Sequence, residues 1–321
     1  MKDSNNAEST KKEFRTMIGG QALIEGILMR GPEKQAIVVR SPEGLVEKTE
    51  ELKLLKDRIP ILGWPLVRGV VNFFDSMIRG VSALMFSADF FPEEEEHPAA
   101  KSKFDLWLEK HVKEETLEKL VVPLGVTLGI LFSVALFILL PAILMELLSK
   151  VIPSYFVRNL IEGVLRIGIF LGYLIAVSQM KDMRRVFSYH GAEHKTIRCY
   201  ESGLPLEVEN VREMSRFHPR CGTSFLFVVM LISILVFSVV RVTRPLLRVL
   251  VKLLLLPVVV AISYEINRWV GRHDNSLTKV LTAPGLWFQN FTTNEPDDSM
   301  IEVAIRALTL VLPEEKGKDQ W

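Results

Sequence analysis

The chain has 321 residues, of which 49% are hydrophobic and 24% are charged, and its net charge is +1. This length allows two or three structural units, and the composition indicates apolar segments joined to substantial water-facing parts. A net charge so close to zero gives no global field that would favour nucleic acid as a partner. Two cysteines, Cys199 and Cys221, without CxxC spacing exclude a disulfide framework. Residues 1–12 are polar, without the apolar core of a signal peptide, and are expected to be disordered.

Residues 13–58 are predicted to form a small β-rich unit. In KQAIVVRSPEGLVEKTEEL, two strand-like runs flank Ser41-Pro42-Glu43-Gly44, which has the composition of a hairpin turn. The preceding IGGQALIEGILMRGP has four glycines but no GKS, GKT or GxGxxG pattern, so tight turns or close backbone approach explain them better than phosphate binding. Glu25 is the only acid in that run. An exposed strand position is favoured for it over a role in a site.

Residues 60–91 predict an amphipathic helix at a membrane interface. Four polar residues at helical spacing form one narrow stripe on an otherwise apolar helix: Arg68, Asn72, Asp75 and Arg79. An interfacial position, or packing against membrane spans, therefore fits better than a further crossing, with a buried helix of a soluble domain as the alternative. Residues 92–119 predict an acidic linker followed by a charged helix that leads into the first span.

Four apolar stretches, at about 120–148, 160–180, 225–240 and 246–270, approach the roughly 20 residues that a spanning helix needs. The predicted fold class is therefore an α-helical polytopic membrane protein with a small α+β cytoplasmic domain, its spans lying within 120–180 and 224–270. Residues 181–220 carry eight Lys and Arg, whereas the connection between the first two spans carries Lys150 and Arg158. By the positive-inside rule, both termini and a motif loop at 181–223 are expected in the cytoplasm. Both cysteines would then be free thiols or metal ligands.

Residues 271–321 predict cytoplasmic helices. Asp297 and Asp298 are typical of a helix start, and the helix that follows has one apolar face. That face contains four residues: Ile301, Ile305, Leu308 and Leu312. It should dock on the cytoplasmic domain or on the membrane interface. The preceding GLWFQNFTTNEP, at 285–296, is expected to be a loop that packs on the domain.

The segment VFSYHGAEHKTIRCYE contains H-x-x-E-H, the inverted form of a metalloprotease motif. On a helix, His190 and His194 share one face, so both imidazoles can reach one ion, and Glu193 is placed to accept a proton from a water on that ion. Downstream, RFHPRCGTSF supplies His218 and Cys221. One segment follows the second span and the other precedes the third, so the two can meet at one membrane face.

Two kinds of zinc site can be built from these residues. A closed structural site would use four ligands: His190, His194, His218 and Cys221. A catalytic site would use two histidines and one further ligand, leaving a position open. Glu265, late in the fourth span, is a candidate for that ligand, and an ion pair with Arg268 or Arg272 is its alternative role.

A site without metal is the remaining alternative. The two histidines of the motif would then make hydrogen bonds that fold the segment, and Lys195 and Arg220 would contact lipid phosphates. Gly191 within the motif lowers helix propensity and favours this alternative.

Four blocks in order, GGQALIEGILMRGP, YHGAEHKTI, HPRCGTSF and TTNEPDD, resemble the bacterial membrane-protein family named after YqhQ. The resemblance runs from about Ile18 to near the C-terminus. It implies a multi-span protein of the bacterial inner membrane with a general metal-dependent label and no settled reaction. The motif residues of the family correspond to these positions: Glu25, Arg30, His190, Glu193, His194, His218, Arg220, Cys221, Thr293, Glu295 and Pro296.

The sequence favours an inner-membrane scaffold that binds other membrane proteins during their insertion or quality control. A sizeable cytoplasmic domain, amphipathic helices at both ends and no obvious substrate channel support that function. The alternative is a membrane-embedded zinc-dependent hydrolase that acts on a peptide or lipid-linked substrate, with Glu193 as the base. A transporter fits less well, because few polar residues lie at mid-depth of the spans. The expected partners are the lipid bilayer and other membrane proteins, with a homo-oligomer as an open alternative.

Overall fold

The computed structural model is mostly helical and contains one small sheet. It describes these residues: 14–52, 59–91, 114–148, 151–152, 154–242, 244–273, 275–315 and 317–320. The N-terminal stretch expected to be disordered and most of the linker expected at 92–119 lie outside them.

Four antiparallel strands pair in chain order: β1 Gly19–Leu23, β2 Gly26–Arg30, β3 Lys34–Ser41 and β4 Gly44–Glu51. The β3–β4 hairpin turns where the sequence predicts it, and Gly44 takes a φ of +134°, which favours glycine. Glu25 lies between β1 and β2 with a φ of +48°. It is a turn residue, not the exposed strand residue that the pattern favours.

Helices cover both faces of this sheet. On one face, Leu23, Leu28 and Val39 pack against helix α1 (Val67–Ala88), which follows a short 3₁₀ turn at Pro60–Gly63. The opposite face packs against helices α5 (Lys181–Glu201) and α10 (Asp298–Val311). Alternating strand side chains therefore enter two separate apolar layers, so β2 is buried on both faces.

The polar stripe of α1 turns toward the protein. Its members pair as follows: Arg68 with Glu265, Asn72 with Tyr264, and Asp75 with Arg30 and Arg79. Large apolar side chains elsewhere on the same segment point outward, with Trp64 61% and Ile78 66% exposed. Packing the stripe on neighbouring elements leaves the apolar surface of α1 outermost, which suits a helix that contacts lipid.

Three helical stretches are long and apolar enough to cross a membrane: Pro123–Leu147, Tyr155–Ser178 and Leu247–Arg272. The first combines α2 (Glu114–Val134), a π-helical segment (Ala135–Leu139) and α3 (Leu140–Leu147). The second is helix α4, and the third belongs to helix α8 (Pro245–Arg272). Helix α7 (Gly222–Ser238), at the third predicted span, is apolar but has 17 residues, about 25 Å of rise.

A buried group of charges joins α4 to α8. The carboxylate of Glu162 pairs with Arg166 at 3.2 Å on its own helix, as its spacing predicts. It also pairs with Arg248 at 2.7 Å and with Lys252, both on α8. Arg166 extends the group to α7 by donating to the Ser233 hydroxyl at 3.0 Å. Each buried charge therefore has a partner, as burial of an ion requires.

The segment at 181–223, expected to be a loop, begins with the 21-residue helix α5 and contains the short helix α6 (Val208–Arg212). Asp182 in the first turn and Arg198 in the last turn of α5 complement the helix dipole. A loop was also expected at 285–296, but helix α9 (Ser276–Thr292) covers most of it. Asn275 begins α9 with a capping box that it forms with Thr278.

Gly191 lies where two backbones approach each other closely. A Cβ at this position would lie 2.0 Å from the carbonyl oxygen of Asn294, in the segment between α9 and α10. The N–H of Asn294 also donates to the Phe187 carbonyl at 2.8 Å. The glycine in the motif is therefore required by packing, and the helix tolerates its low propensity because α5 is fixed on several sides.

Replacing Gly191 with alanine should lower the apparent melting temperature of the detergent-solubilised protein by several degrees. The added methyl group must displace the Asn294 carbonyl, and such overpacking costs roughly 1–3 kcal/mol. Gly168→Ala is the matched control, because it also lies within a helix but a Cβ there meets nothing within 4 Å. Equal melting temperatures for the two variants would contradict this packing.

Candidate metal centre

Three potential metal ligands converge at one point: His190 and His194 from α5, and Cys221 at the start of α7. Their ligand atoms all lie within 4.8 Å of one another. The Nε2 of His190 lies 3.1 Å from the Sγ of Cys221, and the two imidazole centroids are 4.3 Å apart. The two histidines meet because their spacing of four residues places them on the same face of α5.

Main-chain carbonyls orient both imidazoles. The Nδ1 of His190 lies 2.7 Å from the Thr292 carbonyl oxygen, and the Nδ1 of His194 lies 2.6 Å from the Arg216 carbonyl oxygen. A carbonyl oxygen only accepts, so each Nδ1 carries the hydrogen and each Nε2 faces the cluster. Metal-binding histidines in proteins are commonly held by this kind of hydrogen bond.

Two buried polar atoms beside the cluster have no hydrogen-bond partner among the described residues: His194 Nε2 and Glu193 Oε2. The other oxygen of Glu193 accepts the N–H of Gly20 at 2.9 Å. A Cβ on Gly20 would lie 2.7 Å from the Leu28 carbonyl oxygen and 3.0 Å from Glu193 Cδ, so β1 can approach only with glycine there. Buried polar atoms normally have partners, so these two are the atoms beside the cluster that a bound ligand would satisfy.

The charges of the cluster are strongly coupled. Burial opposes protonation of His190, but the adjacent Cys221 sulfur outweighs it and raises the pKa of His190 to about 9. Burial also opposes ionisation of Cys221, but His190 and His194 outweigh it and hold the pKa of the thiol well below its usual range. The Cys221 sulfur additionally accepts the N–H of Thr223 at the N-terminus of α7. Burial raises the pKa of Glu193.

This donor set fits Zn²⁺. Bonds of about 2.0 Å to nitrogen and 2.3 Å to sulfur place neighbouring ligands of a tetrahedral ion roughly 3.3–3.6 Å apart. The 3.1 Å between His190 Nε2 and Cys221 Sγ is close to this spacing, and all three ligand atoms lie within 4.8 Å of one another. Imidazole and thiolate are also ligands that zinc prefers. Three protein ligands leave a fourth position, and the free carboxylate oxygen of Glu193 lies in the same buried environment.

His218 lies next to the cluster but outside it. Its ring centroid is 5.6 Å from that of His194, while its Nε2 is 3.4 Å from a carboxylate oxygen of Glu201. The Gln289 amide clamps the His218 backbone, accepting from its N–H and donating to its carbonyl, both at 2.8 Å. The clamp turns the imidazole away from the other ligands, so the closed four-ligand set predicted from the sequence does not form. Burial lowers the pKa of His218 to about 4.

Glu265 is also not part of the cluster. Its carboxylate binds the Arg68 guanidinium on α1 and accepts the N–H of Leu66 at 3.2 Å. An ion pair was the alternative considered for Glu265, but with Arg268 or Arg272 on the same helix. The partner comes from α1, because the polar stripe of that helix packs on α8, and sequence spacing gave no indication of this long-range contact.

The other family motif residues make ion pairs and hydrogen bonds within the protein, several of them to α5. Glu25 binds Arg185 and accepts the hydroxyl of Tyr189, and both partners lie on α5. Further pairs tie the remaining motif positions to their neighbours: Arg30 with Asp75, Arg220 with Glu201, Thr293 with Arg216, and Glu295 with Lys195 and Arg216. Arg220 and Lys195, expected at lipid phosphates in a site without metal, therefore pair within the protein.

Sequence reasoning missed Gln289 and Glu201, which position His218 and Arg220. Gln289 is fully buried, and a polar residue among the aromatic side chains of GLWFQNF is a signal for such a role. Glu201, which closes the motif segment, also accepts the N–H of Thr16 at 2.9 Å. The Thr292 and Arg216 carbonyls, which orient the two ligand imidazoles, have no signal in the sequence because any residue supplies a carbonyl.

A cleft of about 360 Å³ lies over the cluster. Its walls come from residues 16–22 at the edge of the sheet, from α5, and from the start of α7. His190, Glu193, His194 and Cys221 all line it, so a molecule in the cleft would touch the ligand cluster directly.

Two comparisons with known proteins identify the family. The model of a family described as protein of unknown function DUF1385 matches residues 64–314. The protein YqhQ of Bacillus subtilis (strain 168), described as uncharacterized, is 34% identical over 322 residues, which cover 97% of each chain. No solved structure matches.

The resemblance inferred from four short blocks is thus confirmed over nearly the whole length of the chain. The cluster is built from residues of those blocks, since His190 and His194 lie in YHGAEHKTI and Cys221 lies in HPRCGTSF. The chain belongs to the DUF1385 family, and it is related over nearly its whole length to the YqhQ protein of Bacillus subtilis.

Proposed function

We propose that the protein is a membrane-anchored, metal-dependent hydrolase whose zinc ligands are His190, His194 and Cys221. One observation carries the proposal: three ligand atoms converge beneath a cleft, beside a buried carboxylate oxygen that has no partner among the described residues. A purely structural zinc site is closed by four protein ligands. Three ligands and a neighbouring acid are instead the arrangement of a hydrolytic site.

Each residue then has a defined task. A bound Zn²⁺ would polarise the scissile carbonyl or phosphoryl group and lower the pKa of a water molecule. Glu193 Oε2 would serve as the proton acceptor of the site, and the Gly20 N–H donates to the other carboxylate oxygen and so fixes the direction of Oε2. The carbonyls of Thr292 and Arg216 keep both imidazoles in the tautomer that binds metal.

In this proposal the metal centre lies at the cytoplasmic face of the bacterial inner membrane. Helix α7 is a fourth span, because it packs between α4 and α8, which are both long enough to cross. Asn159 of α4 donates to the Ser238 carbonyl at the end of α7, and Gly163 meets Ile234. By the positive-inside rule, the basic residues between α4 and α7 support a cytoplasmic position for α5, the sheet and both termini. The reducing environment there keeps Cys221 available as a ligand.

The geometry favours the hydrolase over the scaffold that the sequence favours. A scaffold needs no converging ligands, no free carboxylate beside them and no cleft above them. Binding of other membrane proteins and assembly into a homo-oligomer stay predictions.

The full chain, purified without chelators, should contain about one zinc ion per molecule by elemental analysis. Substitutions of the ligands, His190→Ala, His194→Ala and Cys221→Ser, should each reduce the zinc content severalfold, because each removes one of only three protein ligands. Each protein should then be stripped of metal and titrated with Zn²⁺. This titration distinguishes a variant that was purified with incomplete zinc from one that has lost the binding site.

Two matched controls sharpen this measurement. Cys199→Ser changes the other buried cysteine, whose sulfur contacts the Pro205 carbonyl, and should retain zinc. His218→Gln should also retain zinc, because the imidazole of His218 faces Glu201. A wild-type protein that binds no zinc would contradict the site, and loss of zinc in His218→Gln would restore the closed four-ligand arrangement.

Replacing Glu193 with glutamine should leave the zinc content unchanged and reduce hydrolysis of a chromogenic acyl ester by about 10²–10⁴-fold, the usual contribution of a general base. The amide keeps the size of the side chain and removes the proton acceptor. Unchanged turnover would refute the base role. Loss of zinc together with activity would make Glu193 a fourth ligand, and the site would then be structural.

The proposed topology can be tested with alkaline phosphatase fusions, since this enzyme is active only outside the cytoplasm. A fusion at Val151, between α3 and α4, should be active, and a fusion at Gly203, after α5, should be inactive. The reverse pattern would place the metal centre on the outer face of the membrane.

A further inference from the structure

A second cavity of about 700 Å³ lies next to the metal centre and is lined by basic side chains. Four permanently cationic residues and one carboxylate face it: Arg15, Arg198, Arg220, Lys279 and Glu201. His273 adds a further nitrogen donor. The charge balance of this wall is strongly positive, in a chain whose net charge is only +1. Such a concentration of one sign in a concave site favours an anionic ligand.

Glu201, the one carboxylate among the described residues that line the cavity, offsets only one of the four cations, because it is held by Arg220 in the same wall. One oxygen binds the Arg220 guanidinium and the N–H of Thr16, and the other faces His218 at 3.4 Å. Burial opposes ionisation of Glu201, but His218 and Arg220 outweigh it and lower the pKa of the carboxyl. Glu201 therefore fixes the orientation of Arg220 in the cavity wall.

One donor in the wall lacks an acceptor. Arg220 reaches Glu201 through its Nη2, while its buried Nε has no hydrogen-bond partner among the described residues. A guanidinium binds phosphate with two parallel N–H groups, and its Nε is one of the groups that take part in such pairs. An oxyanion in the cavity would give this atom the partner that it lacks.

The cavity lies at one end of a candidate span. Val270 and His273 come from the C-terminal end of α8, and Thr278, Lys279 and Thr282 come from α9. The outer side of α9 is apolar and exposed, with Leu277, Val280 and Trp287 more than half exposed. A lysine beside exposed apolar groups at the end of a span is typical of the level at which lipid headgroups lie.

His218 and Arg220 line both the basic cavity and the cleft over the metal ligands. The two spaces therefore adjoin at these two residues, so a group bound in the basic cavity lies next to the cleft over the metal ligands.

We propose that the basic cavity binds the phosphate group of a membrane amphiphile and so presents the adjoining part of that molecule to the metal centre. The assignment of this amphiphile as a substrate rests on the proposed hydrolase function. The binding of the amphiphile to the cavity is independent of that function. The class of substrate is a phosphate-bearing lipid or lipid-linked compound that enters from the bilayer surface.

Binding should be measured by calorimetry on the full chain in dodecyl maltoside, a detergent without phosphate, with dihexanoyl phosphatidic acid as the probe. The double variant Arg15→Gln/Lys279→Gln should weaken binding roughly tenfold, because two charge-assisted contacts are lost. Lys318→Gln is the matched control, since it removes one exposed cation that pairs with Glu33 outside the cavity, and it should bind as the wild type does. Higher salt should weaken binding to the wild type.

Two further measurements distinguish lipid binding from the binding of a free anion and from the hydrolase function. Inorganic phosphate should bind more weakly than the lipid, and equal affinity would overturn the amphiphile assignment in favour of a free anion. Binding of the lipid should persist in His190→Ala, because the cations of the cavity are not metal ligands. Absence of lipid binding, or equal binding by the double variant, would overturn the inference. Intact binding with an inactive metal centre would instead refute only the hydrolase.

Discussion

The candidate site depends on two hydrogen bonds between an imidazole and a main-chain carbonyl. The Thr292 carbonyl holds His190, and the Arg216 carbonyl holds His194. These carbonyls come from two separate segments, one at the end of α9 and the other before α7. The Nε2 atoms of both imidazoles face the ligand cluster only if these segments pack against α5. The close contact at Gly191 and the ion pairs of Glu295 therefore help to hold the imidazoles in this orientation.

Local signals predicted much of the architecture, because they depend on neighbouring residues. Two strand-like runs around the Ser41–Gly44 turn located the β3–β4 hairpin, continuous apolar stretches located the long helices, and Asp297 marked the start of α10. Two segments were wrongly expected to be loops. In α5, the low propensity of Gly191 is outweighed by tertiary packing, and in α9 the capping box at Asn275 starts a helix that continues through GLWFQNF.

The site was only partly predictable, for a related reason. The spacing of His190 and His194 places both on one face of α5. The proximity of Cys221 was also predictable, because the segment with the histidines follows the second predicted span and the segment with Cys221 precedes the third. The orientation of His218 depends on Gln289, 71 residues further along, and the partner of Glu265 is 197 residues away. No local pattern encodes such pairs. The four-ligand set and the Glu265 ligand were therefore reasonable predictions that distant contacts overturned.

Family membership, confirmed by the comparisons, agrees with this organisation, since the matched blocks surround one centre. GGQALIEGILMRGP supplies the Gly20 N–H that holds Glu193, YHGAEHKTI and HPRCGTSF supply the ligands, and TTNEPDD supplies the backbone that packs on Gly191.

X-ray absorption at the zinc edge of the zinc-loaded protein tests this arrangement most directly. The proposed site predicts one sulfur at about 2.3 Å and two imidazole nitrogens at about 2.0 Å. A zinc shell without sulfur, or one unchanged in Cys221→Ser, would contradict it.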